Sequence, residues 1–259
     1  MRRRRKKIKR RHRVNKRFIP NILTVFNMFL GFMAIVLIMK GNPVKAGWLI
    51  LFAGMFDAVD GKIARLLGIP SKFGTEFDSF ADTVSFCMAP SLLIYSVYTQ
   101  GLPPLLAGVI SIVPLLFGTI RLARFNLIDD EIPSPYFTGL TTPLNALFIF
   151  GYVLFNHQVY GHMGDPRVAL VLVVVLGFLL ISRVRFSKFP LLSFKKGRKN
   201  TMQLLGVLGT VVALIIWKGL VLFPLMVIYV SWSILNWVIH PQRFEEDSTY
   251  TDETEEIIL

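Results

Sequence analysis

The sequence predicts an all-α fold, a polytopic membrane bundle of about eight transmembrane helices. The first observation is composition, since 53% of the residues are hydrophobic and the mean hydropathy is +0.56, which is more apolar than an ordinary soluble domain. The second is that apolar runs close to the ~20 residues that a bilayer core requires recur along the chain. The third is the distribution of lysine and arginine, which follows the positive-inside pattern of membrane proteins.

The chain begins with a basic segment, residues 1–17, which contains twelve lysines and arginines. Such a segment fits three interpretations: an arm that binds nucleic acid, the first part of a signal peptide, or a cytoplasmic anchor on anionic lipid. The apolar run from Phe18 to Met39 is too long for the hydrophobic part of a signal peptide. We therefore favour the lipid anchor, expect no nucleic-acid partner, and place the N-terminus in the cytoplasm.

Eight candidate spans follow the basic segment. They cover residues 20–39, 46–67, 74–97, 103–124, 142–159, 167–182, 202–217 and 220–239. An even number of spans returns the C-terminus to the cytoplasm. The loop at 183–199, which carries seven lysines and arginines, then lies on the same side, as the positive-inside rule requires. The sequence therefore predicts a multi-pass protein of the cell membrane with both termini in the cytoplasm.

Four aspartates in the second and third spans form the main candidate site: Asp57, Asp60, Asp78 and Asp82. Their spacings of three and four place each pair on one face of a helix. Two such helices joined by a short turn would bring the four carboxylates together at the cytoplasmic side, where they would need cations to stay ionised. Oxygen ligands suit Mg²⁺ or Mn²⁺, and two such ions would bind a diphosphate.

The stretch from Asp57 to Asp82 reads Asp-x2-Asp-Gly-x2-Ala-Arg-x8-Gly-x3-Asp-x3-Asp. This pattern resembles the signature of the CDP-alcohol phosphatidyltransferase family, whose members transfer a phosphatidyl group from a CDP-linked lipid to an alcohol and release CMP. The resemblance implies that Asp57, Asp60 and Asp78 bind two divalent ions together with Asp82, and that Asp82 also acts as the catalytic base. It further implies a nucleotide and diphosphate site composed of Asn21, Thr24, Gly61, Ala64, Arg65, Ser71 and Gly74.

The resemblance also implies a division of the chain and a homodimeric assembly. The family core covers residues 18–185, after the basic segment 1–17. A basic loop with two further helices follows at 186–240, and an acidic cytoplasmic tail at 241–259. Polar residues of the first span, among them Asn27, lie on the same side of the membrane as the aspartates.

Three segments, at residues 78–90, 121–126 and 136–143, resemble the phosphatidylserine synthase branch of this family. That branch uses CDP-diacylglycerol and L-serine, and a serine carboxylate would pair with Arg121 or Arg124 beside Asn126. Cys87 stands where glycine is usual in the branch. The residues leave glycerol 3-phosphate and inositol phosphate open as acceptors, because a phosphate also pairs with arginine. An ion-coupled transporter is the alternative from another class, but the acidic residues lie at one membrane face and no second half mirrors them.

Overall fold

The computed structural model describes residues 11–67, 72–127, 136–187 and, with gaps, 205–239; side chains are described from Ile22, except at 60–67 and at position 187. Seven helices are described in full. They are α1 (Arg11–Met39), α2 (Pro43–Leu67), α3 (Lys72–Tyr98), α4 (Pro104–Leu127), α5 (Thr142–Tyr160), α6 (Pro166–Ile181) and α7 (Leu222–Ile239). They correspond to seven of the predicted spans, and the predicted span at 202–217 is described only in part.

The predicted all-α membrane bundle is confirmed. Among the described residues, four helical stretches are long and apolar enough to cross a membrane: Ile22–Met39, Lys72–Tyr98, Pro104–Leu127 and Leu222–Ile239. The shorter α6 is an apolar helix of 16 residues. The two remaining helices, α2 and α5, carry polar residues that lower their hydropathy, which is typical of helices with a functional face inside a membrane bundle.

One feature of the fold was not predicted from the sequence. Two short strands, β1 (Tyr136–Thr138) and β2 (Arg185–Ser187), pair antiparallel and join the segment before α5 to the segment after α6. Phe186 of β2 is fully buried, and its ring lies 6.0 Å from that of Tyr229 on α7. The strands are three residues long, too short to show an alternating pattern in the sequence.

The helix α3 is irregular, because π-helical turns occupy Thr83–Met88 and Ile94–Tyr98. The first begins directly after Asp82. Within it the Ser85 hydroxyl donates a hydrogen bond to the main-chain oxygen of Asn27 on α1 at 3.0 Å. The two helices approach so closely here that a Cβ at Gly31 would lie 2.2 Å from the Ser85 Oγ. Glycine at this position therefore allows α1 to contact the part of α3 that follows Asp82.

The core of the bundle surrounds α5, which is buried along most of its length and contacts α2, α3, α4, α6 and α7. Large apolar side chains elsewhere are exposed, for example Phe29, Phe32, Phe178 and Trp232. In water such a surface would be unfavourable, whereas in a bilayer it faces lipid tails of the same polarity. The bundle is therefore built around a central helix whose polar residues lie away from lipid.

Candidate active site

Three of the four predicted aspartates come together in the structure. Asp57 lies on α2, and Asp78 and Asp82 lie one turn apart on α3. One carboxylate oxygen from each residue lies within 4.8 Å of the others. Asp82 is buried, and the other two are half-buried. Asp60 lies one turn after Asp57 on α2, but its side chain is outside the described residues.

The carboxylate cluster, Asp57, Asp78 and Asp82, fits a divalent metal ion. Oxygen ligands at about 2.0–2.6 Å from an ion lie no more than about 5 Å from one another, which agrees with the 4.8 Å limit observed here. The Asp78 Oδ1 atom is buried and has no hydrogen-bond partner. A buried carboxylate oxygen in that condition is unfavourable unless a cation or a donor satisfies it. The Asp78 Oδ1 atom is therefore suited to bind a hard cation.

Asn27 supports the cluster from the neighbouring helix α1. Its side chain is fully buried, and its Nδ2 donates a hydrogen bond of 3.3 Å to the Asp82 Oδ1. The amide oxygen of the same side chain has no partner. The sequence predicted Asn27 on the same side as the aspartates, as its hydrogen bond to Asp82 confirms, but did not assign it to the site. An asparagine within an apolar span is the signal that could have found it.

The predicted nucleotide site is described only in part. Thr24 is buried on α1, one turn before Asn27, and Gly74 lies in the first turn of α3, one turn before Asp78. Both therefore lie close to the carboxylate cluster along their helices. The surroundings of Asn21, Gly61, Ala64 and Arg65 are outside what the structure describes, and so is the whole of Ser71.

The predicted acceptor residues lie in the last two turns of α4 and have different surroundings. The Arg121 guanidinium lies within electrostatic range of the Asp82 carboxylate, and its buried Nε has no hydrogen-bond partner. The Asn126 Nδ2, in contrast, donates to the Ser79 Oγ at 3.0 Å and to the Glu76 Oε2 at 3.4 Å. Asn126 therefore joins α4 to the start of α3, and Arg121 is the acceptor candidate beside the carboxylates.

Deeper in the bundle, α3, α4 and α5 meet at Gly118. A Cβ at this glycine would lie 2.5 Å from the Cys87 Sγ and 3.4 Å from the Thr142 Cγ2. Any larger residue at position 118 of α4 would therefore clash with the Cys87 side chain. Thr142 and Asn145 are buried on α5, and the polar atoms of both side chains have no hydrogen-bond partner. The sequence singled out neither residue as a candidate ligand.

The comparison with known proteins agrees with this geometry. Residues 17–240 match the model of the CDP-alcohol phosphatidyltransferase family. A Helicobacter pylori protein named CDP-diacylglycerol--serine O-phosphatidyltransferase is 34% identical over 223 residues, which cover 85% of this chain and 90% of that protein. Proteins of the same name from Methanocaldococcus jannaschii and Bacillus subtilis are 33% and 31% identical. These matches cover 66% of this chain in each case, and 75% and 91% of the respective relatives.

Proposed function

Because the chain belongs to the CDP-alcohol phosphatidyltransferase family, we propose that it transfers the phosphatidyl group of CDP-diacylglycerol to the hydroxyl of L-serine. The products are phosphatidylserine and CMP. The observation that carries the proposal is the cluster of Asp57, Asp78 and Asp82, three of the four aspartates of the motif, between the second half of α2 and the start of α3. The choice of serine follows the names of relatives that align with most of this chain.

The family depends on divalent metal ions, and the carboxylate cluster has the donors that such an ion needs. We propose two ions, Mg²⁺ or Mn²⁺, held by Asp57, Asp60, Asp78 and Asp82. When bound, they neutralise the charge of the diphosphate and of the departing CMP. Asp60 belongs to this set because it follows Asp57 by three residues, on the same face of α2.

The nucleotide and diphosphate are bound beside the carboxylates. Arg65 follows Asp60 by five residues on α2. Its guanidinium donates two parallel hydrogen bonds to phosphate oxygens. Gly61 and Gly74 allow the ligand to approach the helix backbones closely. The remaining members of this proposed site are Asn21, Thr24, Ala64 and Ser71.

The transfer step needs a base, an anchored acceptor and a leaving group. The serine hydroxyl oxygen forms a bond to the lipid-side phosphorus, the bond from that phosphorus to the oxygen of CMP breaks, and the hydroxyl proton passes to Asp82. Asn27 holds the Asp82 carboxylate in one orientation through its hydrogen bond. Arg121 pairs with the serine carboxylate, with Arg124 and Asn126 at the mouth of the acceptor site.

The proposed setting is the cell membrane, with the active site and both termini facing the cytoplasm. The basic loop at 183–199 and the basic segment 1–17 support this orientation, since cytoplasmic loops are rich in lysine and arginine. The basic segment binds anionic lipid, and the protein acts as a homodimer through its family core at 18–185. Labelling of single cysteines in a Cys87-free background tests the orientation, and reaction of the 183–199 loop from the outer face would contradict it.

The decisive experiment uses the purified protein in detergent with CDP-diacylglycerol, a divalent metal ion and each candidate alcohol in turn. The expected result is CMP release with L-serine and none with glycerol 3-phosphate or inositol phosphate. CMP release only with one of the phosphorylated alcohols would overturn serine as the acceptor and leave the family activity intact. No CMP release with any alcohol would overturn the proposed function.

A further inference from the structure

We propose that the polar end of the acceptor lies in a buried subsite formed by Arg121 on α4 with Thr142 and Asn145 on α5. This acceptor subsite takes a small molecule that carries both a carboxylate and an ammonium group. The inference rests on the proposed function, because it names where the acceptor of that reaction is held. It adds two residues of α5 to a site that the sequence placed on α4 alone.

The first observation is the distribution of buried polar atoms without partners. In the part of the chain that the structure describes, they occur on Asn27, Asp78, Arg121, Thr142 and Asn145. Asp78 belongs to the carboxylate cluster, and Asn27 is hydrogen-bonded to it through Asp82. The other three form a separate group, in which the Asn145 amide lacks a partner at both its oxygen and its nitrogen. Folded proteins pair nearly all such groups with protein, water or ligand, so this group requires an occupant.

The second observation is that α4 and α5 approach each other closely between these residues. The Thr142 methyl group lies 3.4 Å from the position of a Cβ at Gly118, and Arg121 follows Gly118 by three residues on the same face of α4. Asn145 follows Thr142 by three residues on the same face of α5. Arg121 in turn lies within electrostatic range of Asp82. The proposed subsite therefore lies between α4 and α5, and Arg121 links it to the carboxylate cluster.

The third observation is the chemistry of the three side chains. Arginine supplies only donors and suits a carboxylate. The threonine hydroxyl and the asparagine amide each supply both a donor and an acceptor. A carboxylate would accept from Arg121 and from one of the α5 donors, and an ammonium group would donate to the Asn145 oxygen. A fully ionised phosphate group has no donor for that oxygen, so a phosphorylated alcohol would have to pair it through one of its hydroxyl groups.

Another buried asparagine on α5 shows that the missing partners are specific to this end of the helix. Asn156 is 8% exposed, and its Nδ2 donates to the main-chain oxygen of Tyr152 at 2.8 Å. The backbone of α5 itself thus provides a hydrogen-bond acceptor for the Asn156 amide. Asn145 lies three turns nearer the carboxylate cluster and is left for a ligand.

The test compares two pairs of variants of the full-length protein in detergent. Thr142→Val and Asn145→Leu remove the orphaned polar atoms and keep the number and branching of the side-chain heavy atoms. Thr119→Val and Asn156→Leu make the same changes where the hydroxyl or amide is bonded to main-chain oxygens of its own helix. The measurements are the Michaelis constants for L-serine and for CDP-diacylglycerol, and the unfolding temperature in the absence of serine.

We expect each subsite variant to raise the Michaelis constant for serine by about ten- to a hundredfold, the usual effect of losing one buried hydrogen bond to a charged ligand. The constant for CDP-diacylglycerol should stay within about twofold of the wild type. Without serine, the unfolding temperature should be unchanged or higher, because an unpaired buried polar group has been removed. The control variants should leave the serine constant unchanged, and Asn156→Leu should lower the unfolding temperature.

The outcomes separate this inference from the proposed function. Unchanged serine constants in both Thr142→Val and Asn145→Leu would overturn the acceptor subsite, while serine-dependent CMP release by the wild type would leave the function standing. Equal losses for both substrates, together with a lower unfolding temperature in both variants, would assign these residues a structural role and would also overturn the subsite. A wild-type protein that releases no CMP with serine overturns the function itself.

Discussion

Buried polar groups at the two ends of α3 differ in whether they have hydrogen-bond partners. At the start of the helix, the Asp78 Oδ1 and the amide oxygen of Asn27 are buried without hydrogen-bond partners. At its end, the Tyr98 hydroxyl donates to the main-chain oxygen of Met163 at 2.5 Å. The Tyr152 hydroxyl beside it donates to the main-chain oxygen of Asp165 at 3.0 Å.

The difference separates the proposed catalytic end of the bundle, at the start of α3, from a structural end. Groups that are satisfied within the protein contribute to stability, and their removal weakens the fold. Groups that are left unpaired destabilise the empty protein and gain partners only when ligand is bound, which is typical of functional sites. Substitutions at the two ends should therefore have opposite consequences for activity and for stability.

The largest effect is expected for Asp78→Asn at the catalytic end. Removing one charge from the carboxylate cluster should abolish turnover, and in metal-free buffer it should raise the unfolding temperature because carboxylate repulsion is relieved. EDTA should abolish the activity of the wild-type protein in the same assay. Asp165→Asn at the structural end is the matched control, since asparagine also caps a helix, and it should keep full activity. Full wild-type activity in metal-free buffer would break the metal assignment.

The next effect is expected for Asp82→Asn, which removes the proposed base. Loss of a positioned carboxylate that accepts a proton typically lowers the rate by about 10²–10⁴-fold. Binding of CDP-diacylglycerol should persist through the other carboxylates. Because Asp82 is also a proposed metal ligand, metal stoichiometry must be measured on the same sample. A variant that keeps its metal and loses its rate supports the base, and one that loses both reassigns Asp82 to metal binding alone.

A smaller effect is expected for Asn27→Leu, which removes the hydrogen bond to the Asp82 carboxylate. Such a bond to a charged group contributes about 1.5–3 kcal/mol, so kcat should fall by about ten- to a hundredfold. The Michaelis constant for serine should change little, because Asn27 acts through Asp82. Asn156→Leu, at the structural end, should leave kcat unchanged. Equal kcat in Asn27→Leu and the wild type would show that the hydrogen bond does not orient the base.

The sequence predicts the helices and the aspartates because both are local patterns. Long apolar runs show where helices cross a membrane, and the spacing of Asp78 and Asp82 places them on one face whatever surrounds them. The support around them is not local. The hydrogen bond from Asn27 to Asp82 joins residues 55 positions apart, and the π-helical turn after Asp82 has no simple sequence signal.

The acceptor side shows the same limit. Arg121 could be proposed from its charge, since a cation near the membrane site is rare and visible in the sequence. Asn145 could not be proposed in this way, because the sequence does not distinguish it from Asn156, another asparagine on the same helix. Only the packing shows that one amide is satisfied by Tyr152 and the other is not. The structure is therefore needed to decide which buried polar residues of a membrane helix are structural and which are functional.

The smallest effects are expected at the structural end, where Tyr98→Phe and Tyr152→Phe each remove one hydroxyl. The rings remain packed, with centroids 6.1 Å apart, so only the hydrogen bonds are lost. Tyr98 is 2% exposed, and its replacement should lower the free energy of unfolding by about 1–1.5 kcal/mol. Tyr152→Phe should cost about 0.5 kcal/mol, because Asp165 is exposed and water can replace the lost donor. Both variants should keep the wild-type kcat and serine constant. A change in either kinetic parameter, measured beside thermal unfolding, would show that the structural end is coupled to catalysis and that the two ends of α3 are not independent.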